Sequence, residues 1–134
     1  MTFLLDTSVL SQPLRKNPSL PALTRWHQAG DRACLTSVVC HAEIEWGLLK
    51  QKDPQRQRRY QELIRPRLPA LPTDSSCWEI FARLKARQFL LGEIVADLDL
   101  LLAATARQHD LTLATLNKND FSRVEGLRWE DWSR

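Results

Sequence analysis

The chain has 134 residues, of which 43% are hydrophobic and 26% are charged, and this ordinary globular composition excludes wholesale disorder. No apolar run approaches the roughly 18 residues of a membrane span, and residues 3–5 are too short for a signal-peptide core. Three cysteines without a Cys-X-X-Cys pair favour a reducing compartment over a disulfide framework. We therefore expect a cytoplasmic protein with one domain over residues 1–134.

Positive charge is concentrated in one part of the chain. The net charge is +3 and the sequence pI is about 9.0, but positions 50–67 hold seven basic residues against two acidic ones. Such a run is most often a solvated helix face, although it also suits a polyanionic partner. The candidates for contact with such a partner are Arg56, Arg58 and Arg59.

The predicted elements alternate between strands and helices. In chain order they are a strand at 2–5, a short helix near 9–10, a helix at 22–29, a strand at 33–36, a helix at 38–52, an arginine-rich helix at 54–65, an edge strand at 68–71, a helix from about 75 to near 92, a helix from 97, a strand at 111–115, a strand at 127–129 and a tail at 130–134. This alternation predicts an α/β protein with a parallel sheet covered by helices on both faces.

Two of these helices are expected to bury a tryptophan. The helix at 38–52 has an apolar face made of Val38, Val39, Ala42, Trp46 and Leu49. The helix that follows Asp74 has an apolar set made of Trp78, Phe81, Ala82, Leu84 and Phe89. Both tryptophans are therefore predicted to lie in the core.

Acidic side chains follow the predicted strands or open the next helices. They are Asp6, Glu43 or Glu45, Asp97 or Asp99, and Asp120. Because the carboxyl ends of parallel strands share one rim with the starts of the following helices, residues far apart in the chain can converge there. Clustered carboxylates repel one another unless a cation neutralises them, and oxygen ligands favour Mg²⁺ or Mn²⁺.

Each acid also has a purely structural interpretation. Asp97 and Asp99 lie where helices favour a cap or a first-turn carboxylate, and Asp6 could simply cap the next turn. Glu43 and Glu45 occupy opposite flanks of one helix face, and their spacing does not choose between them. A divalent ion held by such acids can lower the pKa of a bound water and bind a phosphate oxygen, as phosphodiester hydrolysis requires.

Four segments carry a family resemblance. They are LLDTSVL at 4–10, SVVCHAEIEWG at 37–47, DLLLAATA at 99–106 and LTLATLNKNDF at 111–121. Together, and in this order, they resemble the PIN-domain ribonucleases, and more narrowly the VapC and FitB type toxins of bacterial toxin–antitoxin pairs. The resemblance implies a three-layer α/β/α fold with a central parallel sheet, Mg²⁺- or Mn²⁺-dependent cleavage of RNA, and a homodimer inhibited by a cognate antitoxin.

The resemblance also implies site residues. Asp6, Glu43 and Asp99 match the acids that bind metal in the family, which favours Glu43 over Glu45 and Asp99 over Asp97. The arginines of the basic stretch would then bind RNA.

The fourth acid and the polar side chains around the site follow less directly from the resemblance. Asp120 is the expected fourth catalytic acid. Asn117 is expected to support the site from outside the set of metal-binding acids. Thr115 belongs to the same supporting group, as do Thr7 and Ser8 at the turn after the first strand. Ser8 stands where the family more often has asparagine, so it keeps a hydrogen-bond donor with a shorter reach.

Two other functions compete with this one. An aspartate after the first strand can accept a phosphoryl group, but phosphatases of that kind need a second aspartate two residues later, where this chain has Ser8. A degenerate nuclease fold that binds RNA or protein without cutting is the stronger alternative, because Ser8 and Asn117 depart from the family pattern.

Overall fold

A parallel β-sheet forms the centre of the protein. The computed structural model describes residues 2–134, and within them the strands are β1 (Phe3–Leu5), β2 (Cys34–Ser37), β3 (Ala70–Leu71), β4 (Thr112–Thr115) and β5 (Trp129–Asp131). The sheet order is β3-β2-β1-β4-β5, and every neighbouring pair is parallel. Helices cover both faces of this sheet, which confirms the predicted three-layer α/β/α fold.

The helices connect successive strands. Within the described residues they are α1 (Thr7–Leu10), α2 (Leu20–Ala29), α3 (Val38–Gln51), α4 (Pro54–Arg59), α5 (Ser75–Leu90), α6 (Asp97–Gln108) and α7 (Lys118–Phe121). Short 3₁₀ turns follow α1 and α2, and a π-helical turn at Tyr60–Ile64 continues α4. Across the described part of the chain, none of these helices has both the length and the apolar character to cross a bilayer.

The register of the sheet brings three strand ends to one edge. Leu4 of β1 lies opposite Leu35 of β2 and Leu113 of β4, so these three strands end together. The backbone N–H of Asp6, one residue past β1, donates to Ala114 O at 3.1 Å. The turn after β1 is therefore held beside the end of β4.

The central strand β1 and its neighbour β4 are buried on both faces. Leu4, Leu5, Leu113 and Ala114 are fully buried, as expected for strands of a parallel sheet with helices on either side. Leu100 and Leu102 belong to the same core.

The predicted buried face of α3 is largely wrong, because only Val39 of its five residues is buried. The buried residues of α3 are Val39, Cys40, His41, Ile44 and Leu48. Val38, Trp46 and Leu49 are instead 43%, 67% and 67% exposed. The helix carries apolar residues around more than one side, and its contacts with α1, α4, α6 and β2 decide which of them become buried.

The predicted apolar set of α5 is also largely wrong. Cys77, Leu84 and Gln88 are the buried residues, on a helix packed along α6. Trp78 is 48% exposed and Phe89 is 82% exposed. Of the other predicted residues, Phe81 is half-buried and Ala82 is exposed.

The tryptophans that fill the core are Trp26 and Trp132, which are each 1% exposed. Trp132 lies in the segment predicted to be a tail, and its ring meets Phe3 edge-on with centroids 5.1 Å apart. The last strand, β5, also extends two residues beyond its predicted end at Trp129. The end of the chain is therefore part of the fold.

Candidate functional site

Asp6 is at the centre of a polar cluster at the carboxyl edge of the sheet. Its side chain is buried and accepts hydrogen bonds from Ser8 Oγ at 2.6 Å, Val9 N at 3.0 Å and Thr115 Oγ1 at 2.5 Å. Burial raises the pKa of the Asp6 carboxyl, and these three donors act in the opposite direction. Asp6 does cap α1 through Val9 N, but the two hydroxyls bonded to it go beyond a capping role.

The same two hydroxyls connect the turns after β1 and β4. Ser8 Oγ accepts a bond from Leu116 N at 3.0 Å, and Thr115 Oγ1 accepts one from Asn117 N at 2.9 Å. Both side chains therefore donate to Asp6 and accept from the chain that leaves β4. The position of Asp6 is fixed by both turns.

Glu43 belongs to this cluster, and Glu45 does not. Thr7 Oγ1 donates to Glu43 Oε1 at 2.7 Å, and Glu43 contributes to raising the pKa of Asp6 by repulsion. Glu45, on the other flank of α3, forms an ion pair with Arg65 and accepts a bond from Tyr60 Oη at 3.4 Å.

Asp99 is the acid most affected by its neighbours' charges. It lies in the first turn of α6, half-buried. Burial, and then repulsion from Asp120, Glu43 and Asp6 in decreasing order, raise its pKa from the ordinary 3.8 to about 6. Four acids from distant parts of the chain are thus electrostatically coupled. Asp97, two residues earlier, is exposed and pairs with a lysine, its Oδ1 lying 2.8 Å from Lys85 Nζ.

Asp120 and Asn117, the two candidates for the fourth site residue, have different surroundings in the structure. Asp120 lies on α7 and exerts the largest charge effect on Asp99 among the neighbouring acids. Asn117 precedes α7 and is bonded to Thr115 through its backbone N–H rather than its amide group. The resemblance favours Asp120 over Asn117 as the fourth acid, and the charge of Asp120 does raise the pKa of Asp99.

The donor set of the cluster suits a hard divalent cation. Within residues 2–134, none of the four acids has a basic side chain within 4.0 Å. The donors are all oxygen atoms and their negative charge is uncompensated, which is the chemistry that Mg²⁺ and Mn²⁺ prefer. In the described part of the chain no three His, Cys, Asp or Glu side chains are arranged to share one ion.

Two hollows meet at Thr7 and Glu43. The larger, of about 770 Å³, is otherwise mainly apolar, and its lining includes Val38, Ala42, Trp46 and Leu98. The smaller, of about 180 Å³, has a mixed lining, in which Leu14, Ile44 and Leu48 lie beside two arginines, Arg15 and Arg56. Trp46, predicted to be in the core, thus lies beside the acidic cluster.

The three arginines predicted to bind RNA lie in different surroundings. Arg56 lines the smaller hollow, which it shares with Glu43. Arg58 borders a separate hollow beside Glu45. Arg59 donates to Pro13 O at 2.7 Å, so it connects two parts of the fold. Sequence reasoning did not single out Arg15, because Arg15 and Lys16 form only a short basic pair without a periodic pattern around it.

Comparison with known proteins identifies the family of this chain. The PIN domain model matches residues 3–127. The chain is 30% identical over 132 residues to ribonuclease VapC2 of Haemophilus influenzae, covering 98% of each chain. It is 29% identical to toxin FitB of Neisseria gonorrhoeae, covering 96% of this chain and 97% of that protein.

A solved structure agrees with this assignment. The crystal structure of FitAcB from Neisseria gonorrhoeae matches with a TM-score of 0.88 at 26% identity, covering 98% of each chain. The chain described here therefore belongs to the PIN domain family, within the group of VapC and FitB proteins.

Proposed function

We propose that this protein is a metal-dependent endoribonuclease and the toxin of a type II toxin–antitoxin pair. The observation that carries the proposal is the convergence of Asp6, Glu43, Asp99 and Asp120 at one edge of the sheet without basic partners. A nuclease needs such a site, because a divalent cation must be held against a phosphate that carboxylates alone would repel. The likeness to a ribonuclease and to a toxin supports the substrate and the biological role.

The chain's own residues have distinct roles in this proposal. Asp6, Glu43 and Asp99 would hold Mg²⁺ or Mn²⁺, and Asp120 would complete the catalytic set. When bound, the cation lowers the pKa of a bound water and stabilises charge on the phosphate.

Hydroxyl groups position two of these acids. Ser8 and Thr115 fix the orientation of Asp6, and Thr7 fixes that of Glu43. Asn117 supports Thr115 through its backbone N–H.

The proposed partners are RNA, a cognate antitoxin and a second copy of the chain. The resemblance to VapC and FitB proteins supports all three. We also propose that residues 1–134 act as one domain in the cytoplasm, since Cys34, Cys40 and Cys77 are free, buried thiols that suit a reducing compartment.

Cleavage of RNA by the Asp6→Asn variant tests the proposal. The substitution keeps the shape of the side chain but removes its charge, so cleavage in Mg²⁺ or Mn²⁺ should fall by orders of magnitude. The matched control is Asp97→Asn, which changes an exposed acid at the start of α6 and should cleave like the wild type. Circular dichroism checks that both variants are folded. Equal cleavage by the Asp6→Asn variant and the wild type would reject the proposal.

A catalytically degenerate RNA- or protein-binding module is the second candidate. Two departures from the family pattern favour it, namely Ser8 in place of the commoner asparagine and Asn117 at a position where some relatives have an acid. Calorimetric titration with Mn²⁺ separates the two functions. Saturable binding that is lost in the Asp99→Asn variant supports the nuclease, and the absence of heat supports the binding module.

A further inference from the structure

The smaller hollow beside Glu43, hereafter the basic hollow, lies between the turn after α1 and the end of α3. Thr7 and Glu43 form one end of its lining, and Arg15 and Arg56 bring positive charge to it. Its volume of about 180 Å³ is several times the ~30 Å³ that a water molecule occupies in the liquid. It has room for a phosphate group.

Both arginines have donors to spare for a ligand. Among the described residues, Arg15 has no carboxylate within 4.0 Å, and its side-chain contact is a long one of 3.5 Å to Ser11 Oγ. Arg56 Nε lies 3.8 Å from Asp53 Oδ2 in a partly exposed pair, which is a weak interaction. Its other contact, to Gln51 Oε1, measures 3.4 Å.

The backbone that carries these arginines is well anchored. Leu14, next to Arg15, is buried. The side chain of Asp53 caps α4 by accepting from Arg56 N at 3.0 Å. Arg59 donates to Pro13 O at 2.7 Å and so joins the two segments. A ligand would therefore meet guanidinium groups on a fixed support, which limits the conformational entropy lost on binding.

Charge favours a phosphate as the occupant. An RNA strand that passes over Glu43 would have the larger, mainly apolar hollow with Trp46 on one side and the basic hollow on the other. Guanidinium groups match phosphate oxygens with paired hydrogen bonds. They would also offset the repulsion between the acidic cluster and a polyanion.

We propose that the basic hollow is a subsite for a backbone phosphate of the RNA, next to the phosphate that is cut, with Arg15 and Arg56 as its ligands. This inference rests on the proposed function. It assigns a role to Arg15. Of the three arginines predicted to bind RNA, it places only Arg56 in the subsite.

The test measures binding of a short, fluorescein-labelled single-stranded RNA in EDTA, so that cleavage does not interfere. Arg15→Gln and Arg56→Gln should each weaken binding roughly three- to tenfold at low salt. Each should also reduce the slope of log K against log[salt] by about 0.7, the value for one phosphate contact on a single strand.

The matched control is Arg32→Gln, which removes an exposed arginine just before β2, at the opposite edge of the sheet. It should bind RNA with the wild-type salt slope. In cleavage assays with Mn²⁺, the Arg15→Gln variant should raise KM and leave kcat within about twofold of the wild type, since it changes binding away from the reacting phosphate.

Two results would overturn the subsite. One is that both arginine variants bind RNA with the wild-type affinity and salt slope. This holds also where the variants weaken only the binding of a protein partner. The other is a fall in kcat with unchanged KM. Failure of the proposed function looks different, because it appears as cleavage that survives Asp6→Asn, whereas the subsite is measured by binding without cation.

Discussion

Replacing Asp99 with asparagine should stabilise the cation-free protein at neutral pH. In the wild type, burial and the charges of Asp120, Glu43 and Asp6 make the ionised form of Asp99 unfavourable in the fold. Asparagine has nearly the same size and no charge. The variant therefore gains stability from the same change that should abolish metal-dependent activity.

The magnitude follows from the raised pKa of Asp99. The difference between the ordinary 3.8 and about 6 corresponds to about 3 kcal/mol. Solvent screening at this half-buried side chain reduces the penalty to roughly 1–2 kcal/mol. Losing a favourable carboxylate in the first turn of α6 costs up to about 1 kcal/mol. The expected net gain in the free energy of unfolding is about 1 kcal/mol.

The sign depends on pH in a defined way. Below the pKa of the unfolded chain, Asp99 is protonated in both states and carries no penalty. As the pH rises from about 4 to about 6, the unfolded chain releases its proton first, so the wild type loses stability. Above about pH 6 the full penalty is present. The advantage of Asp99→Asn should therefore be absent near pH 4 and complete at pH 7.5.

Urea unfolding in EDTA, followed by circular dichroism at several pH values, measures this advantage. Asp97→Asn is the control, because Asp97 is exposed and paired with Lys85, and its loss should cost less than about 1 kcal/mol. If Asp99→Asn is no more stable than the wild type at pH 7.5, the repulsion inferred for the acidic cluster is incorrect.

Three further substitutions probe the fold around the site by urea unfolding. Thr115→Val should cost about 1.5–3 kcal/mol, because it removes a hydrogen bond to the buried carboxylate of Asp6; Thr115→Ser keeps the hydroxyl and should cost less, and equal costs would contradict this role. Trp132→Ala should cost about 3–5 kcal/mol, since the ring is buried against Phe3. Trp46→Ala should change stability by less than about 1 kcal/mol because the side chain is 67% exposed; a cost as large as that of Trp132→Ala would refute the burial described here.

Several features of the fold could be predicted from local patterns. The alternation of strands and helices predicted the parallel sheet, because two strands of the same direction need a crossover between them. The position of Asp6 after a buried strand predicted that it would lie at the carboxyl edge. Pro69 predicted a short edge strand, since proline cannot donate to a ladder, and β3 is a two-residue strand at the end of the sheet order.

Local patterns failed where burial depends on a distant neighbour. Helical periodicity shows which faces are apolar, but α3 has apolar residues on more than one side. Only its contacts with other elements decide that Ile44 is buried and Trp46 exposed. The same holds for Trp132, which looks like part of a tail until Phe3 provides its packing partner.

The sequence by itself determined the fold class, the family and the acids that can meet at the edge of the sheet. Tertiary structure alone decided which groups contact one another there: the two hydroxyls on Asp6, the closeness of Asp120 to Asp99, and the shared hollow of Arg15 and Arg56. The physical reason is the separation along the chain of the residues that interact. Strand and helix patterns arise from residues a few positions apart, whereas the charges and hydrogen bonds of the site join residues up to 109 positions apart.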